Sequence, residues 1–218
     1  TYFSAVLLSG GMAVLYFITF AAYDFYQLLP QTMTFVLMVL FTAFTVFAAI
    51  QYDKEVIGII GLVGAYAVPF LLSDGSGRVM ILFSYVTIIN TGILTLAFRK
   101  DWKPLYYLAF VLTWMIFAAW YSFSFNEDEH LWISLAFSTI FFLTFYTTFL
   151  SYKLIRKEPL SKLDVIFMLL NSFLYFGFGY STIDDLDNAD QYLGLFSVFT
   201  AVIHFIAVII IYKNYNQY

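Results

Sequence analysis

Apolar stretches of bilayer-spanning length follow one another along the whole chain, interrupted only by short polar loops. They fall near residues 2–23, 32–51, 56–72, 79–98, 105–125, 131–152, 165–183 and 192–212. A run of about 20 apolar residues in helical form matches a hydrocarbon core of roughly 30 Å. The pattern therefore predicts an all-α, polytopic transmembrane bundle of about eight spans. Residues 1–218 read as a single transmembrane region with no room for a separate soluble domain. Breaker signals sit between the spans: Pro30 before the second, Ser73-Asp74-Gly75-Ser76-Gly77 after the third, Pro104 before the fifth and Pro159 before the seventh. Ser161, with Asp164 three residues on, predicts an N-cap with an acid in the first helical turn.

Composition agrees with that pattern. Hydrophobic residues make up 62% of the chain and charged ones 11%, with a mean hydropathy of +0.85. A soluble domain would carry about 25% charged residues. A net charge of −4 lacks the basic footprint that nucleic acid demands. The absence of cysteine excludes disulfides, thiolate catalysis and zinc–thiolate sites. The chain begins at Thr1 inside an apolar run, without a charged leader, so a secretory signal is not expected. The expectation is a portion of a longer multi-pass protein.

Charge distribution predicts orientation. Lys54, then Arg99, Lys100 and Lys103, then Lys153, Arg156, Lys157 and Lys162, then Lys213 occupy one set of loops, against Arg78 alone in the other. By the positive-inside rule the first set, and with it both termini, is cytoplasmic. Tyr23, Tyr26, Tyr52, Trp102, Tyr106, Tyr121, Trp132, Tyr152, Tyr192 and Tyr212 lie near span ends, where an interfacial aromatic belt is expected.

Candidate chemistry is sparse. No Asp, Glu, Lys or Arg lies inside a span, which counts against ion-coupled or proton-driven transport. The strongest polar intrusions are Asn90, Asn171 and His204. Helix rise puts all three roughly 10–12 Å above the inner interface. Trp114, Thr113 and Thr144 fall at a similar level, so one polar layer is geometrically possible. It can be read as a site that hydrogen-bonds a neutral headgroup or binds a proton at His204. It can equally be read as glue between helices. The third span carries Gly58, Gly61, Gly64 and Pro69. A proline there is expected to kink or end the helix, and a broken glycine-lined helix can form part of a transport path. Close helix packing is the commoner use of such glycines.

Two acidic runs, Glu127-Asp128-Glu129-His130 and Asp184-Asp185-Leu186-Asp187, face outward in this topology. The second lacks the central glycine and terminal glutamate of an EF-hand loop. No metal site and no cofactor is expected, and phosphate loops, dinucleotide motifs and paired-histidine zinc motifs are absent.

The segment Ile57-Gly58-Ile59-Ile60-Gly61-Leu62-Val63-Gly64-Ala65-Tyr66-Ala67-Val68-Pro69-Phe70-Leu71-Leu72-Ser73 resembles a recurrent segment of a large bacterial family. That family comprises predicted multi-pass membrane proteins with a domain of unknown function. The resemblance continues through Asn90-Thr91-Gly92, Arg99-Lys100, Trp120-Tyr121, Leu170 to Tyr175, and Tyr192 to Phe196. It implies a bacterial inner-membrane location and offers no activity or catalytic residues to carry over. Members are often longer, with more spans.

Two functional expectations follow. The leading one is a non-enzymatic membrane protein that handles or gates a neutral or lipidic molecule, through the Asn90/Asn171/His204 layer and the third span. The alternative is a membrane scaffold or assembly subunit that packs against other transmembrane spans or subunits. An intramembrane transferase using Glu127 or His130 is the least supported, because no paired acid–base spacing is evident. The expected partners are the lipid bilayer and further transmembrane segments, not nucleic acid.

Overall fold

The computed structural model describes residues 2–71, 79–156, 160–184, 186 and 188–215. All regular structure among them is helical: α1 (Tyr2–Asp24), α2 (Gln31–Tyr52), α3 (Glu55–Leu71), α4 (Val79–Ala97), α5 (Lys103–Ser124), α6 (Glu127–Arg156), α7 (Lys162–Ile183) and α8 (Ala189–Tyr215). The all-α, eight-helix expectation holds, and 7 of the helices are long and apolar enough to cross a membrane. α3, at 17 residues, is the shorter one. The last three helices run three or four residues past the expected spans at one or both ends. Hydropathy marks the stretch that lipid favours, whereas the helix continues until its backbone is capped. The glycine–serine run 73–77, Arg78 and Pro159 lie outside the described residues.

The residues form two units: Thr1–Val86 with Trp102–Ala109, and Thr87–Asp101 with Phe110–Tyr218. In the first, α1, α2 and α3 pack against one another. α2 ends at Asp53, whose left-handed backbone (φ 50°) returns its N–H to the Ala49 and Ile50 carbonyls. Two residues therefore suffice to start α3 at Glu55. The Glu55 carboxylate accepts the Leu105 N–H at 3.2 Å, satisfying one of the orphan donors in the first turn of α5.

The glycines of α3 are seats for neighbouring side chains. A Cβ on Gly61 would lie 2.7 Å from Thr45 Cγ2, and one on Gly64 2.7 Å from the Tyr16 ring. Gly58 faces Trp102 and Ala49 at ordinary contact distance. Tyr16, lodged over Gly64, bonds Thr42 Oγ1 at 2.5 Å. α3 is not broken at these glycines, and it continues two residues past Pro69. Proline has no N–H to give the carbonyl four residues back, which is that of Ala65. Tyr85 Oη donates to that same carbonyl at 3.1 Å. The bond that proline withholds is thus supplied by α4. Trp102 and Tyr106, expected in the interfacial belt, are buried instead.

In the second unit, α5, α6 and α7 share an aromatic interior. Phe117, Phe141, Phe142, Phe145 and Tyr175 are fully buried. The Phe110 ring meets Phe145 at 5.4 Å and Phe167 at 5.3 Å, and Phe117 meets Phe178 at 5.1 Å, all near edge-to-face. Such pairs contribute about 0.5–1.5 kcal/mol beyond area burial. That matters in a bilayer, where helix–lipid and helix–helix apolar contacts are nearly equivalent. Most of the phenylalanine of α5 and α6 thus packs inside.

The starts of α6 and α7 are capped by side chains. Ser161 and Asp164 form the expected reciprocal capping box at α7. At α6, Asn126 Oδ1 accepts the Asp128 N–H at 3.0 Å, and the Asn126 N–H donates back to His130 Nδ1 at 3.1 Å.

Candidate functional site

Four of the contacts between helices of the second unit are made by the amides, indole and imidazole singled out in the sequence. Asn90 Nδ2 donates to Thr113 Oγ1 at 3.0 Å, and the hydroxyl is also within 3.3 Å of Asn90 Oδ1. Trp114 Nε1 donates to Asn171 Oδ1 at 3.0 Å, and Asn171 Nδ2 donates to the Phe142 carbonyl at 2.9 Å. His204 Nε2 lies 2.8 Å from Ser172 Oγ. The links run α4 to α5, α5 to α7, α7 to α6, and α7 to α8.

Asn90, Thr113, Trp114 and Asn171 are buried to within 3% of complete exclusion. Trp114 stacks on Phe178, with ring centroids 5.9 Å apart and planes 5° from parallel. These groups face one another across helix contacts, with the amide of Asn171 engaged at both ends. Thr144 is not drawn in: its hydroxyl donates to the Ile140 carbonyl of its own helix at 2.7 Å. Thr113, Ser172 and the Phe142 carbonyl are the partners that complete the arrangement.

His204 differs from the amides because it is half-buried. Its Nδ1 donates to the Thr200 carbonyl at 2.7 Å. With Nδ1 protonated, neutral imidazole must accept at Nε2 from Ser172. Ser172 Oγ also lies 2.9 Å from the Met168 carbonyl and has only one proton to give. The rings of Phe142 and Tyr146 pack beside the imidazole at 5.9 and 5.5 Å.

A cleft of about 820 Å³ lies along α6, α7 and α8. One wall is an i, i+4 stripe on α6, Glu127, Leu131, Leu135 and Thr139, and the other is the α8 stripe Tyr192, Leu195, Phe196 and Phe199. Tyr175 and Ile183 of α7 also line it. Gly179 brings α7 and α8 together, since a Cβ there would run into the Phe196 ring. Polarity is graded along the cleft. A carboxylate stands at the first residue of α6, an apolar middle follows, and the Thr139 and Tyr175 hydroxyls meet at 3.2 Å toward the other end. Tyr175 also stacks on Phe142 at 4.4 Å, so the cleft adjoins the polar contacts described above.

Among the described residues, the two acidic runs are not assembled into a centre. His130 is committed to capping α6 and packs edge-on against Trp120 at 5.4 Å. Asp185 and Asp187 lie outside the described residues. Among the described residues, no group of three or more His, Asp or Glu is placed to hold a metal ion.

Eight helices, 7 of them long and apolar enough to cross a membrane, define a polytopic helical membrane protein. The chain matches over residues 1–217 the family described as predicted membrane protein (DUF2339), and it belongs to that family. The match takes in the first two helices, which the resemblance noted in the sequence does not reach. No curated protein and no solved structure matches the chain.

Proposed function

We propose that this protein holds a lipidic molecule in the lateral cleft of α6, α7 and α8, without chemistry of its own. The carrying observation is the lining of that cleft. Glu127 to Thr139 is twelve residues of helix, about 18 Å at 1.5 Å per residue. Over that length its walls pass from the Glu127 carboxylate to an apolar run of Leu131, Leu135, Leu195, Phe196 and Phe199. A polar end followed by an apolar run is the pattern of an amphiphile, and this favours lipid handling over the scaffold alternative. The cleft's volume also falls in the roughly 300–1,000 Å³ range of small-molecule sites.

The polar contacts of Asn90, Thr113, Trp114 and Asn171 serve as the frame on which the cleft is built, not as a path through it. Their hydrogen-bonding groups are turned toward one another. Both termini lie on the cytoplasmic side of a bacterial inner membrane in this reading, which rests on the cation distribution and on the family. The bilayer is the principal partner.

Replacing Leu135 and Leu195 together with Trp tests the proposal by filling the cleft from both walls. Leu195 is exposed and Leu135 half-buried, so the helices themselves tolerate the change. The variant, purified in neutral detergent, is expected to keep its helical circular dichroism and lose most of the lipid that co-purifies with the parent chain. Equal lipid retention would refute the proposal.

A further inference from the structure

The cleft has a charged end, and its charge has one sign. Glu127 lines it, while Asp184 directly follows the lining residue Ile183 and Asp190 stands two residues before Tyr192. Both aspartates are exposed. Asp128 and Glu129 add further negative charge to the first turn of α6, offsetting the positive end of that helix dipole. No lysine, arginine or histidine lines the cleft among the described residues. The nearby imidazole of His130 is turned to the Asn126 backbone. Two aromatic rings flank the carboxylate end, Trp132 at 79% and Tyr192 at 50% exposure. A carboxylate beside accessible indole and phenol rings is the chemistry that attracts an ammonium group, by ion pairing and by cation–π contact. An anionic headgroup at this mouth would meet only like charge.

Resting on the lipid-holding reading above, we infer that the occupant is a bilayer phospholipid whose headgroup ends in an ammonium group. Its ammonium lies at Glu127, between Trp132 and Tyr192, and an acyl chain runs along Leu131 and Leu135 toward Phe199. The apolar stripe supplies affinity for any lipid chain, and the carboxylate supplies the choice of headgroup. Selectivity and occupancy are therefore separable.

Native mass spectrometry of the whole chain in neutral detergent tests this. The probe is an equimolar mixture of phosphatidylethanolamine and phosphatidylglycerol with identical acyl chains. The expected result is a 1:1 adduct favouring phosphatidylethanolamine by about fivefold, the size of one interfacial ion pair with an aromatic contact. Glu127→Gln should bring the ratio to about one by lowering the phosphatidylethanolamine adduct, with the phosphatidylglycerol adduct still formed. Equal adducts on the parent chain, or a preference that survives Glu127→Gln, would overturn the headgroup inference and leave the lipid-holding cleft standing. No adduct with either lipid would overturn the cleft reading itself, and the inference with it.

Discussion

Asn171 ties three helices at one point, because its amide accepts from Trp114 on α5 and donates to the Phe142 carbonyl on α6. Leucine in its place keeps the volume but removes both bonds and leaves the Trp114 N–H without that acceptor. Asn171→Leu should lower stability by about 1–3 kcal/mol, the usual cost of orphaning a buried donor, as read from unfolding in detergent. Lipid retention should stay at the parent level once the protein is folded, because Asn171 does not line the cleft. Thr144→Val serves as the contrast and should shift stability by no more than about 0.5 kcal/mol, since its hydroxyl bonds only its own helix. Asn90, Asn171 and His204 were legible in the sequence because strongly polar groups are rare in hydrocarbon and invite an explanation. The sequence placed Trp114, Thr113 and Thr144 at their level but not the pairing among them. Whether Thr113 or Thr144 faces an amide depends on the rotation of each helix about its axis, which depth alone does not give.

Between helices, the closest approaches are set by glycine. Gly64→Ala would drive a methyl group against the Tyr16 ring, and Gly179→Ala would drive one against Phe196. Each should cost about 1–3 kcal/mol through overpacking. Gly92 meets nothing within 4 Å, so Gly92→Ala should be neutral or slightly stabilising. Thermal unfolding of the three variants separates the cases. Pro69 offers a sharper test. Tyr85→Phe removes the donor to the Ala65 carbonyl, at about 1 kcal/mol. In a Pro69→Ala background the backbone supplies that bond, and the cost of Tyr85→Phe should largely vanish in a double-mutant cycle. Additive costs would show that the tyrosine does not compensate the proline. Helix positions were readable from hydropathy to within a few residues. The continuity of α3 was not, because the hydroxyl that allows it comes from a different helix.

Across the whole molecule, membrane residence and the eight-helix count could be read from the sequence, because lipid leaves its mark on every stretch of the chain. The interior could not. Trp102 and Tyr106 sit near a helix start, as belt residues do, yet they are buried in the first unit. The cleft was equally hidden, being the meeting of stripes on three helices, none unusual alone. Orientation is open to direct measurement, since the chain has no cysteine of its own. Single cysteines at Lys157 and Asp190 should be labelled by an impermeant maleimide from opposite sides of the membrane. The expected pattern is Lys157→Cys from the cytoplasm and Asp190→Cys from outside. The reverse pattern would invert the topology, and labelling of both from one side would contradict the span order.

The central claim is that a slender lipid chain, not a helix, fills the space between α6 and α8. A density map of the protein in lipid nanodiscs tests it most directly. The account predicts elongated, unbranched density running from Glu127 past Leu135 to Phe199, about as long as the 18 Å of α6 beside it. Helical density of a second protein segment in that place, or α6 and α8 closed together with the cleft gone, would contradict it.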